Sequence, residues 1–140
     1  MDIDVYYNKI ESINRSVSRL EDKRPDSLDR LLVDIDLQDI LSVNLERLVQ
    51  SCVDLASMMI AELNIPPTDT MSEGFNMLAD HTIISSELAR NLKKSVGFRN
   101  IAVHEYQRID WVIVFSIVTD HLDTFKDFAR QIEKYLEKSR

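Results

Sequence analysis

The feature that most limits the folds open to this chain is its shortage of residues that interrupt helices. Its 140 residues include only two glycines and three prolines. An all-β fold reverses direction about every 8–12 residues, and its turns draw heavily on glycine and proline. The sequence therefore predicts an all-α protein built from a few long helices.

The spacing of apolar residues supports the same fold class. From Ile3 to Leu20 they recur every three or four positions, as on one face of a helix, and this segment ends before Pro25. Similar stripes cover most of the chain, so we expect a single domain over residues 1–140, folded as an antiparallel bundle of four to five helices. The other predicted helical segments are a short stretch after residue 26, residues 35–65, 70–78, 85–96 and 110–138. Asp26 or Ser27 can cap the short stretch, and a Thr70–Glu73 capping box begins the segment 70–78. The segment 85–96 is expected to end or bend at Gly97.

Cysteine usage and hydropathy restrict the class of protein further. Cys52 is the only cysteine, which excludes an internal disulfide and a cysteine-rich zinc site, and its apolar neighbours predict a core position. The longest strongly apolar run, Trp111–Val118, has eight residues, whereas a membrane-spanning helix needs about 20. With two acids among its first four residues and no secretory leader, the chain is expected in the cytoplasm.

The run Trp111–Val118 also bears on assembly. It opens the last predicted helix and is apolar on all sides. A helix without a polar face must be covered all round, either by its own chain or by another subunit.

The distribution of charge is uneven. The net charge is −7, which by itself disfavours binding to nucleic acid. Residues 26–80 contain eleven acids and two bases, whereas residues 90–108 contain five bases and one acid. A basic segment in an acidic protein predicts a region that tolerates a polyanion, and the alternative is a solvated helix face. Under the first interpretation, RNA is steered by Arg90, Lys93, Lys94 and Arg108.

The side chains suited to chemistry are concentrated in that basic segment. Arg99, Asn100, His104 and Tyr106 lie within eight residues. Metal-free cleavage of RNA needs a base for the 2′-hydroxyl, a cation for the charged phosphorane and an acid for the leaving 5′-oxygen. The planar guanidinium of an arginine can donate two hydrogen bonds to phosphate oxygens, and a histidine can take up or release a proton near neutral pH. Asn100 adds a supporting polar group. The segment therefore has the residue types of a metal-free ribonuclease site.

Helix geometry leaves the arrangement of this site open. Five positions at about 100° each place Arg99 and His104 about 140° apart on a regular helix. Either the long arginine side chain wraps round the helix, or the helix breaks between the two residues. A third interpretation is that His104 is a structural residue that only forms hydrogen bonds.

The segment resembles the R-x4-H-x-Y signature of HepT-like toxins in the HEPN superfamily, a group of helical prokaryotic domains. Arg99, His104 and Tyr106 occupy its three defined positions, and Asn100 is the polar residue that the superfamily favours after the arginine. The similarity covers nearly the whole chain. It includes the Gly97–Phe98 pair, the Ile109–Asp110 pair, the Pro67–Thr68 turn and the Asn44–Leu45 stretch.

This resemblance implies a HEPN-like homodimer in which two copies of the signature face each other across a cleft. It implies the toxin of a type VII toxin–antitoxin system, a metal-independent endoribonuclease with Arg99 and His104 as catalytic residues and with no cofactor. It also implies a partner, a minimal nucleotidyltransferase (MNT) antitoxin that neutralises the toxin by adding AMP to Tyr106.

Two other functions stay open on the sequence alone. One is a non-catalytic HEPN module that binds a nucleotide or RNA, in which Arg99 holds phosphate and His104 only forms hydrogen bonds. The other is a structural helical adaptor whose function is its apolar dimer face. The complete Arg/His/Tyr set favours catalysis over the first, and the basic segment disfavours the second.

Overall fold

The computed structural model describes residues 1–139, and within them it contains helices and no β-strand. The all-α prediction is confirmed. The helices are α1 (Ile3–Asp22), α2 (Leu28–Val33), α3 (Ile35–Glu62), α4 (Met71–Asp80), α5 (Ser86–His104), α6 (Trp111–Asp120) and α7 (Asp123–Lys138), with a 3₁₀ turn at Tyr106–Arg108 between α5 and α6.

Several helices begin where a polar side chain caps them. The Thr70 hydroxyl accepts a hydrogen bond from the Glu73 amide at 3.3 Å, as the capping box predicts. Ser27, and not Asp26, caps α2, because its hydroxyl accepts a hydrogen bond from the Arg30 amide at 3.2 Å. Local sequence therefore determines these helix starts.

Helix α3 is the centre of the bundle and contacts all six other α-helices. Its predicted apolar stripe is buried from Leu41 onward, with Leu37 partly buried, and it joins buried side chains from every other α-helix in one hydrophobic core. Cys52 lies in this stripe, where complete burial raises the pKa of its thiol far above the ordinary value. An apolar, protonated thiol of this kind is unreactive, so Cys52 is a core residue as predicted.

Helix α5 is longer than its glycine suggests, because it continues through Gly97 to His104. Gly97 has no positive φ, and its neighbours Val96 and Phe98 are both buried in the core. Packing of the flanking side chains offsets the cost of about 1 kcal/mol that glycine imposes on a helix interior. As a result, the segment from Arg99 to His104 is a continuous helix.

The last predicted helix is in fact two helices, α6 and α7, separated at His121 and Leu122. No glycine or proline lies at this break. The Val118 carbonyl, near the end of α6, accepts a hydrogen bond from Nε of Arg24 at 2.6 Å. A carbonyl in the last turn of a helix has no partner within that helix, so a distant side chain helps to stabilise the break.

Candidate active site

Helix geometry within α5 resolves how Arg99 relates to His104. The helix is unbroken between them, so their side chains leave it about 140° apart. The Arg99 side chain nevertheless turns, because its Nη1 donates a hydrogen bond to Oδ1 of Asn100 at 3.3 Å. Asn100 lies one helical turn before His104, at a rotation of about 40° from it. The hydrogen bond therefore holds the Arg99 guanidinium beside Asn100, whose position lies between those of Arg99 and His104 around the helix.

His104 is the last residue of α5 and its side chain is exposed. Among residues 1–139 its ring makes no hydrogen bond, so no other described side chain occupies its two nitrogens. The neighbouring Glu105 does not orient it, because the Glu105 carboxylate accepts a hydrogen bond from Arg108 Nη1 at 2.8 Å. His104 is thus available for proton exchange with a bound molecule.

Arg99 borders a cleft between α1, α3 and α5 with a volume of about 580 Å³. Its Nε is buried and has no hydrogen-bond partner within the described part of the chain. Three more arginines line the cleft, Arg15 and Arg19 from α1 and Arg47 from α3. Sequence analysis missed these three residues, because two lie in the first helix and the third lies in the acidic segment 26–80.

The basic residues that were predicted to steer RNA are all exposed. On α5, Lys93 and Arg90 lie at rotations of about 20° and 40° from His104. Lys94 and Arg108 border a second, largely apolar groove, and Arg108 is paired with Glu105. The steering role of these four residues stays a prediction, and the helix rotation aligns two of them with His104 and not with Arg99.

Tyr106 lies in the 3₁₀ turn just after α5, and its hydroxyl donates a hydrogen bond to Oδ1 of Asp39 at 2.6 Å. Its ring packs edge-on against Trp111, with 6.0 Å between the ring centroids. Partial burial, followed by the hydrogen bond to Asp39, raises the pKa of the Tyr106 hydroxyl above its ordinary value. The hydroxyl is therefore neutral at physiological pH, and 43% of the residue remains exposed.

Asp39, the partner of Tyr106, is a further residue that sequence analysis missed. It belongs to α3 and lies 67 positions from Tyr106 in the chain. Nothing in its local pattern separates it from the ten other acids of segment 26–80.

Exposed apolar side chains surround the end of α5. Ile101 and Val103 of α5 are 37% and 41% exposed, and Val112 and Ile113 of α6 are 53% and 52% exposed. An apolar groove of about 410 Å³ runs between α5, α6 and α7 beside them. The run Trp111–Val118 is thus only partly covered by its own chain, since Val114 and Val118 are its buried members.

Comparison with known proteins shows the family to which this chain belongs. A family model described as ribonuclease HepT-like matches residues 6–132. The chain belongs to the HepT-like ribonuclease family. The resemblance inferred from R-x4-H-x-Y is therefore confirmed.

Individual HepT-like relatives match over almost their full length. The mRNA nuclease HepT of Shewanella oneidensis is 35% identical over 130 residues, which is 93% of this chain and 97% of that protein. The tRNA nuclease HepT of Aphanizomenon flos-aquae is 31% identical over 128 residues, 91% of this chain and 87% of that protein. A solved structure of the tri-AMPylated Shewanella oneidensis HEPN toxin in complex with its MNT antitoxin superimposes with a TM-score of 0.88 at 34% identity, covering 96% of this chain and 99% of that one.

No helix within residues 1–139 combines the length and the apolar character needed to cross a membrane.

Proposed function

We propose that this chain is the ribonuclease toxin of a HEPN/MNT toxin–antitoxin pair, acting as one domain and cleaving RNA with Arg99 and His104. The observation that carries the proposal is the Arg99–Asn100 hydrogen bond, which holds a permanent cation at a position around the helix between those of Arg99 and the exposed His104. RNA is the substrate class because two relatives are named as an mRNA nuclease and a tRNA nuclease. Such a toxin acts in the cytoplasm, where its substrate is.

The reaction requires two proton transfers. A base takes the proton of the 2′-hydroxyl as its oxygen attacks phosphorus, and an acid protonates the 5′-oxygen as the bond between phosphorus and that oxygen breaks. One histidine cannot do both in the same step. A homodimer supplies a second His104, and Arg99 stabilises the extra negative charge on the phosphorane. The proposed active site is therefore shared between two copies of the chain.

This mechanism predicts which chemical group ends the RNA fragments and that cleavage needs no metal ion. We expect the unmodified protein to cleave RNA in the presence of EDTA, because the proposed chemistry uses only side chains. The 5′ fragments should end in a 2′,3′-cyclic phosphate, since the neighbouring hydroxyl is the nucleophile. Mass spectrometry of the products of a defined oligonucleotide, incubated with the protein in EDTA, tests both the cleavage and the end group. Loss of cleavage in EDTA, or fragments that end in a 3′-hydroxyl, would contradict the mechanism.

The exposed apolar side chains at the end of α5 and the start of α6 supply the dimer face in this proposal. Ile113→Glu should convert the dimer to monomers or aggregates, because an unpaired charge in an apolar interface is unfavourable. Val5→Glu is the matched control, since Val5 on α1 is 45% exposed and Ile113 is 52% exposed. Light scattering gives the oligomeric state. A wild-type protein that is monomeric at micromolar concentration would refute the shared site.

The partner in this proposal is an MNT-type antitoxin that transfers AMP to Tyr106. The related Shewanella oneidensis toxin is tri-AMPylated and in complex with such an antitoxin. Tyr106 is a suitable acceptor because its hydroxyl lies two residues beyond His104 and the residue is 43% exposed. A group added there lies next to the proposed catalytic residues.

A further inference from the structure

We propose that the cleft between α1, α3 and α5 binds the phosphodiester backbone of RNA beyond the bond that is cut. Its arginines, Arg15, Arg19 and Arg47, would extend the phosphate contact that begins at Arg99. This inference rests on the proposed ribonuclease function, since it assigns a binding site to the same substrate.

The first support is the charge of the cleft. Four arginines and one acid, Glu46, line it, in a protein whose net charge is −7. Such a concentration of cations produces a local positive potential that attracts a polyanion. The remaining lining residues are all polar and match the hydroxyls and oxygens of a sugar–phosphate chain: Ser12, Ser16, Asn44, Gln50 and Ser51.

The arginines are also available for binding. Among residues 1–139, Arg19 and Arg47 form no ion pair, and both side chains are exposed. Arg15 pairs with Glu11 at 2.9 Å, but both of these side chains are about 70% exposed (71% and 68%). An exposed pair contributes about 0–1 kcal/mol, so a phosphate can replace it at little cost.

The second, independent support is a pair of buried polar atoms at the cleft. Arg99 Nε is a donor and Gln50 Oε1 is an acceptor, and neither has a hydrogen-bond partner in the described residues. Gln50 Nε2 donates a hydrogen bond to Oδ1 of Asp54 at 2.8 Å. Both unpartnered atoms are inaccessible to solvent in this conformation, so RNA supplies their partners only after the Arg99 guanidinium and the Gln50 amide turn into the cleft.

The position of the cleft connects it to the proposed catalytic residues. Arg99 lines the cleft and is hydrogen-bonded to Asn100, which lies about 40° from His104 around α5. Arg15 and Arg19 are four residues apart on α1 and therefore project from the same side, with their Cβ atoms about 5–6 Å apart. An RNA strand whose reactive phosphate contacts Arg99 thus continues past the other arginines of the cleft.

The test compares two double variants that each remove two positive charges. Arg19→Ala with Arg47→Ala removes the two cleft arginines that form no ion pair within residues 1–139 and leaves Arg15 and Arg99 in place. Arg130→Ala with Lys134→Ala removes the same charge from the exposed surface of α7. The probe is a fluorescein-labelled oligonucleotide with 2′-fluoro riboses, which lacks the attacking hydroxyl and cannot be cleaved. Anisotropy gives its Kd over a range of salt concentrations, and cleavage of ordinary RNA is measured in parallel.

The cleft variant should raise Kd about 10-fold or more and reduce the slope of log K against log salt by about 1.4, from two lost phosphate contacts at about 0.7 each. Its KM for RNA should rise while kcat at saturation stays within a factor of about two, because Arg99 and His104 are intact. The α7 variant should behave as wild type. Equal losses in the two variants would overturn the inference, because the effect would then be one of net charge.

Failure of the two proposals can be distinguished. If the wild type does not cleave RNA but the cleft variant still loses affinity for the probe, the ribonuclease proposal fails and the binding site stands. If the wild type cleaves RNA and the cleft variant matches it in Kd and KM, only the binding site is refuted.

Discussion

Replacing His104 with alanine is expected to lower the rate of RNA cleavage by about 10²-fold or more, the usual loss when a general acid or base is removed. In a homodimer one substitution removes both histidines, so the base and the acid disappear together. The fold should persist, because His104 is exposed and its ring makes no hydrogen bond within residues 1–139. Initial rates on a fluorescent RNA measure the loss of cleavage, and the circular dichroism melting curve measures whether the fold persists.

Arg99→Ala is expected to cause a loss of similar size, about 10²–10³-fold, because it removes a cation from the developing charge of the phosphorane. Most of this loss should lie in kcat, since the charge on phosphorus grows between the ground state and the transition state. Arg99→Lys keeps the charge but loses the planar fork of donors, so it should recover only part of the activity.

Two matched variants serve as controls for this pair. His81→Ala removes an exposed histidine at the end of α4, and Arg130→Ala removes an exposed arginine from α7. Both should cleave at the wild-type rate. If His104→Ala also cleaves normally, His104 is neither the acid nor the base, and the cleavage is carried out by other residues.

Tyr106→Phe is expected to abolish AMP transfer while leaving RNA cleavage largely intact. The substitution removes only the acceptor hydroxyl and keeps the ring that packs on Trp111. It also removes the hydrogen bond to Asp39, a contribution of about 0.5–1.5 kcal/mol for a typical pair. Cells that express the variant with its antitoxin should therefore remain poisoned, whereas cells with the wild-type pair should grow.

The consequence of modification follows from charge and size. Each AMP unit adds a phosphodiester with one negative charge and the bulk of a nucleoside. Because Tyr106 is two residues from His104, the charge competes with substrate phosphate for Arg99 and the nucleoside obstructs access. A single chemical event would thus inhibit the enzyme in two ways.

Intact-mass analysis after co-expression with the antitoxin provides the direct measurement. AMP-sized increments should appear on the wild-type chain and be absent from Tyr106→Phe. Tyr7→Phe is the control, because Tyr7 on α1 is also only partly buried and should leave the increments unchanged. Increments that persist in Tyr106→Phe would place the acceptor on another residue, and their absence from the wild type would indicate inhibition by binding alone.

Local sequence was sufficient to predict much of this protein. Apolar residues at spacings of three and four determine the helices, and Ser27 and Thr70 determine where two of them begin, because capping depends on residues within one turn. The R-x4-H-x-Y pattern could also be identified from the sequence, because its residues are close together in the chain. Their relative positions around a helix follow from a rotation of about 100° per residue. Family membership followed from those residues.

Tertiary structure alone decided the features that join distant segments. The break between α6 and α7 involves Arg24, which is 94 positions from Val118, and the Tyr106 hydroxyl is held by Asp39 from 67 positions away. The arginine cleft assembles residues from α1, α3 and α5 in the same way. Helical periodicity specifies which face a side chain occupies, but it carries no information about which other helix lies opposite. That choice is made by burial of the apolar faces in a common core, and it brings these polar groups together as a consequence.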